Sequence, residues 1–136
     1  MNYNLINKEI ETYLNTQWLL LYPNDYPIVW GNIPTNVDDQ DQPFLKAVVR
    51  YSEEDKENVG NVSLNRVYGI LMISVYVLID TGERLLQELT SKVKNIFRNK
   101  NINGIIFRKR NIRYIGENGR FIQQNITIEF YYDDIS

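Results

Sequence analysis

Neither cysteine nor histidine occurs in this sequence. Without cysteine there are no disulfides and no thiolate-bound metals. Without histidine the commonest general base and the commonest metal ligand are both missing. A net charge of −2 gives no global field to draw in nucleic acid. Alanine appears once, against 17 asparagines and 17 isoleucines. That bias fits AT-rich coding, so no single asparagine carries weight. Long hydrophobic runs are also missing. The longest apolar stretch, at 69–79, is about half of the roughly 20 residues a spanning helix needs. The start, "MNYNLINKEIE", has neither a basic segment nor an apolar one. No secretory signal is read there, and a soluble cytoplasmic protein is expected.

Specific chemistry is scarce as well. No glycines fall at the spacing of a phosphate-cradling loop, and no serine sits in a nucleophile elbow. The acidic run Asp38, Asp39 and Asp41 lacks the glycine and the distal glutamate of a calcium loop; Phe44 and Arg50 or Tyr51 fall near those places. The residues offer no catalytic group, metal ligand or cofactor site, and an enzyme is not expected.

What is present is a pattern of elements. Leu5, Ile6, Ile10, Tyr13, Leu14 and Trp18 recur at helical spacing and predict a helix over 4–18. Pro23 and Pro27 end it, and "IVWGNIP" (28–34) reads as a short strand leaving into a turn. "FLKAVVRY" (44–51) alternates as a strand should. The charged stretch 52–65, "SEEDKENVGNVSLN", reads as a mobile loop, with Glu53, Glu54, Asp55, Lys56 and Glu57 as its partner-contacting residues. A long strand follows at 66–79. Asp80 and Glu83 then resemble a capping box opening a helix whose stripe is Leu85, Leu86, Leu89, Val93, Ile96 and Phe97. Two strands joined at "GENG" close the chain, at 104–115 and 120–132. The expected fold is one α+β domain over 1–136. An antiparallel or mixed sheet of four to five strands carries two helices on one face, in the order α-β-β-β-α-β-β.

The strand at 66–79 is apolar on both faces. An antiparallel sheet with one wet face should alternate instead. Two helices cover one face, so the second face, with Tyr68, Ile70, Met72 and Tyr76, requires another cover. Either the N-terminal helix or residues 18–30 fold over it, or it is a subunit interface; tyrosine and methionine are enriched at such surfaces. One basic cluster remains, Arg108, Lys109, Arg110 and Arg113. Strand alternation puts Arg108 and Arg110 on one face, either paired across strands with Glu129 or facing a nucleic-acid backbone inside a channel.

In order along nearly the whole chain, the segments "YPIVWGNIP", "FLKAVVRY" and "NRVYGILMISVYVLIDTGERLLQELTSKVKNIF" resemble the tail-terminator proteins of long-tailed bacteriophages, the lambda-type minor tail proteins. Trp30, Asn32, Ile33 and Pro34 occupy the family's turn, with Gly31 inserted. Gly69, Ile73, Val75 and Tyr76 lead to Gly82 and Leu86, as its strand leads into its helix. The resemblance implies a homo-oligomeric ring of six subunits that caps the tail tube, stops its polymerisation and offers its other face to the neck. It implies no catalytic residues and no cofactor. The implied partners are further copies of the chain, the tail tube protein and a neck or connector protein. Genome DNA would pass through the lumen without sequence-specific binding, and no membrane is involved. The implied place is the tail–neck junction of the virion, assembled in the host cytoplasm. A neck or head-completion protein, or a small ligand-binding α+β module, are the alternatives.

Overall fold

A computed structural model describes residues 3–31, 40–59 and 62–135, and the side chains of all of these except 53–59, 62–64 and 135. Ile6, Ile10, Leu14 and Trp18 recur every four residues and are all buried, so helix α1 (Tyr3–Leu21) lays one narrow stripe on the core. After it come β1 (Ile28–Trp30), β2 (Phe44–Val59), β3 (Val62–Leu78), a single 3-10 turn (Ile79–Thr81), α2 (Glu83–Ile96), β4 (Asn101–Ile102), β5 (Ile105–Asn118) and β6 (Phe121–Ile135). The strands form one mixed sheet in the order β1-β2-β3-β6-β5-β4. Only β1 runs parallel to its neighbour; the other pairings are antiparallel.

The α+β class and the two helices over one sheet face are as expected. The strand count is six rather than four to five, because β4 adds a two-residue pairing with Ile105 and Ile106. Both helices share one core with the same face of the sheet. Leu86, Leu89, Val93 and Ile96 of α2 meet Leu71, Ile73, Val75 and Val77 of β3 and Ile122, Ile126, Ile128 and Phe130 of β6. The indole of Trp18 donates to the Tyr26 carbonyl at 2.8 Å, which fastens the connection to β1 onto the end of α1. The β5–β6 hairpin closes through Gly119 and Arg120, and Gly119 takes the positive φ (61°) that tight hairpin turns require.

Two expectations are corrected here. Within the stretch 52–65, residues 52–59 and 62–65 are strand rather than loop: they continue β2 and β3 as a paired ladder, Glu54 opposite Val67, Glu57 opposite Leu64 and Val59 opposite Val62. Its sequence is charged and nearly free of apolar residues, so the alternation that marks a strand is missing and the stretch reads as loop. The capping box is absent too. Asp80 lies in the 3-10 turn, Gly82 occupies the position before α2 with φ 83°, and no side chain caps the helix. Glu83 still places a negative charge in the first turn, where the helix dipole favours it.

Tyr51 ties α1 to the sheet. Its ring stacks on Tyr3 at 4.0 Å, and its hydroxyl donates to Asn7 Oδ1 at 2.5 Å, with the Tyr3 carbonyl 3.2 Å away. Burial first, then the nearby Tyr132 and Tyr3, hold its pKa well above the usual phenol value. The folded protein therefore keeps this proton where the unfolded chain releases it. That stability is fully present below about pH 10 and is lost as pH rises further. Denaturant midpoints measured across alkaline pH should fall less steeply for Tyr51→Phe than for the parent. Parallel curves would show that Tyr51 is not the group responsible.

Candidate functional site: the helix-free sheet face

Opposite the helices, register fixes which side chains share the open face. Tyr68, Ile70, Met72, Ser74, Tyr76 and Leu78 of β3 stand between two rows. Phe44, Lys46, Val48 and Arg50 come from β2, and Phe121, Gln123, Asn125, Thr127, Glu129 and Tyr131 from β6. Tyr68, Ile70 and Met72 are half-buried here, without any element of the described chain laid over them. Apolar side chains thus line the central strand and mostly polar ones flank it, which is the anatomy of a protein interface with its dry centre and polar rim.

Tyr76 departs from the expectation. It is only 6% exposed, stacked on Phe44 with ring centres 4.6 Å apart and planes 8° from parallel. Phe121 meets both rings edge-on, and Val29 and Leu78 pack around the three. Register is the cause: Phe44 lies directly opposite Tyr76, and Phe121 opposite Leu78. This chain covers Tyr76 itself, so of the four expected interface residues three remain accessible. Burial raises the Tyr76 phenol pKa, and a hydrogen bond with Ser74 works the other way.

At the other end of the face, Tyr68 and Tyr131 lie across from one another, 6.2 Å between ring centres. Arg66 sits 4.4 Å over the Tyr131 ring and grips Asp133 with two hydrogen bonds, at 2.8 and 3.0 Å. That grip pulls the Asp133 carboxyl below its usual range. The pair is solvent-exposed, so its net worth is small. A shallow groove of about 350 Å³ runs between Ser52, Tyr68, Ile70, Arg108, Glu129 and Tyr131.

The two arginines assigned to one basic face are separated. An irregularity between Phe107 and Arg110 adds a residue to β5, and side-chain parity flips. Arg108 stays near the open face, 5.8 Å from the Tyr131 ring centre. Arg110 turns to the helix side and donates to the Lys94 carbonyl at 2.8 Å, satisfying an orphan acceptor in the last turn of α2. Neither pairs with Glu129; among the described residues the ion pair is Arg66–Asp133. Sequence reading missed that pair and the Phe44–Tyr76–Phe121 plug. Their only signal is matching parity on β2, β3 and β6, which needs the register first.

Among the described residues no three acidic side chains gather as a metal site would require, and no helix is long and apolar enough to cross a membrane. No protein-family model and no curated protein matches the sequence. Among the solved structures that match, one that is 15% identical aligns with a TM-score of 0.71 over 97% of this chain and 96% of its own. A likeness at that identity shows the fold alone.

Proposed function

We propose that this protein is a bacteriophage tail terminator. It assembles as a closed ring, of six copies as the resemblance implies, on the last ring of the tail tube, and its opposite side receives the neck. The observation that carries this reading is the helix-free sheet face, with Tyr68, Ile70 and Met72 half-buried on its central strand between mostly polar rows. Covering three such side chains on assembly is worth roughly 5 kcal/mol by area, offset in part by the entropy of association. Arg110, held by the helix, does not share the open face with Arg108.

Negative-stain imaging of particles made without the gene tests the reading. Overlong tails are expected. Tailless, unsealed heads would make the protein a head-completion or neck component instead, and normal particles would overturn both. Native mass spectrometry across a concentration series should show one discrete oligomer, six copies being the expected number, alone or on tube ends. A protein that stays monomeric in both settings is no ring former.

A further inference from the structure

Both margins of the sheet are open, and they carry opposite charge. On one side β1 pairs only with residues Leu45, Lys46 and Ala47, so the outer edge of β2 from 48 to 59 has no partner strand among the described residues. On the other, β4 pairs only with Ile105 and Ile106, and the Phe107 amide is taken by the Lys100 carbonyl. The outer edge of β5 from 108 to 118 is likewise unpaired among the described residues. Each edge is about 35 to 40 Å long at roughly 3.3 Å per residue. The β2 edge carries Glu53, Glu54, Asp55 and Glu57 against Arg50 and Lys56; the β5 edge carries Arg108, Lys109 and Arg113 against Glu117. Lys109 and Arg113 are exposed and make no ion pair among the described residues.

We infer that the outer edge of β5 in one copy of this chain pairs with the outer edge of β2 in a second copy. An unpaired strand edge is a template for another strand, and proteins that leave one open usually guard it with charge. Charge on both edges would be a plain guard if it had one sign. With opposite net signs it disfavours two of the three possible pairings and favours the third. The β5 edge is net positive and the β2 edge net negative, so two like edges repel on balance. Only the unlike edges attract. The β5 edge also exposes Ile112, Tyr114 and Ile115, at 41, 51 and 44%, which a strand meant to stay in water does not need. Because the two patches differ, the contact is head-to-tail, and repeating it gives a ring if the rotation closes or a filament if it does not. It stands apart from any role at a phage tail and is decided by solution measurements alone.

A charge exchange between two variants tests it. Lys109→Glu with Arg113→Glu makes both edges of one variant acidic; Glu54→Lys with Glu57→Lys makes both edges of the other basic. Each alone should run as a monomer in size-exclusion chromatography, with circular dichroism unchanged. An equimolar mixture should recover the parent's oligomer, since every contact then joins an acidic edge to a basic one. A parent that is monomeric up to its solubility limit overturns the inference. So does either variant assembling alone as the parent does, or two folded variants whose mixture stays monomeric. Should a variant lose its fold, a salt series on the parent decides. Association through these edges weakens as ionic strength rises, and an oligomer indifferent to salt contradicts them.

Discussion

Gly69→Ala is expected to cost about 3 kcal/mol of stability, on the order of 10 °C in Tm. A Cβ built on Gly69 would stand 2.3 Å from Phe130 Cζ, with the two neighbouring ring carbons at 2.7 and 2.8 Å. A ring tip elsewhere could swing aside. Here Phe130 is 1% exposed, met edge-on by Tyr51 at 6.0 Å and flanked by the tilted ring of Phe107 at 5.6 Å. Yielding would disturb Tyr51 and, through its hydroxyl, Asn7 on α1. Alanine suits a strand better than glycine by roughly 0.5–1 kcal/mol, which offsets only part of the clash. Pairing the change with Phe130→Leu should return some of the loss, a coupling that urea melts of the two single variants and the double variant would measure. A single Gly69→Ala variant within about 0.5 kcal/mol of the parent would mean that the ring has somewhere to go.

Gly69 also marks how much of the fold could be read in advance. Its strand was legible because Leu71, Ile73, Val75 and Val77 repeat every second residue, and α2 because Leu86, Leu89, Val93 and Ile96 repeat with the helix. Those periods exist because each element buries a face. Where apolar alternation stops the signal fails, so the continuation of β2 and β3 over 52–59 and 62–65 read as a charged loop. Parity was the second blind spot. One extra residue near Arg108 sends Arg110 to the other side of the sheet, and no composition or spacing announces such a bulge. The open face was legible on β3 alone. Its neighbours were not, since β6 rather than β4 or β5 lies beside β3, and that order alone puts Phe121 next to Tyr76.

Tyr76→Ala and Met72→Glu, four residues apart on the same face of β3, should fail in opposite ways. Removing the Tyr76 ring leaves a cavity between Phe44 and Phe121, which bury it in the single subunit. Truncating a buried aromatic costs about 3–5 kcal/mol, so the isolated chain should melt far below the parent. Met72 lies opposite Val48 and Thr127, both half-exposed, and Lys46 and Arg50 are its diagonal neighbours on β2. A glutamate there can stay hydrated and near two cations in the free subunit, so the fold should survive with a near-parental melt. Assembly over that face changes the balance. The carboxylate must then lose water or take up a proton, at several kcal/mol per site, and the oligomer should disappear. Circular dichroism melts beside size-exclusion chromatography separate the two results. If Met72→Glu unfolds the chain, the subunit covers that face itself. If it assembles as the parent does, the face lies outside the subunit contact, and Tyr68, Ile70 and Met72 are not its anchors.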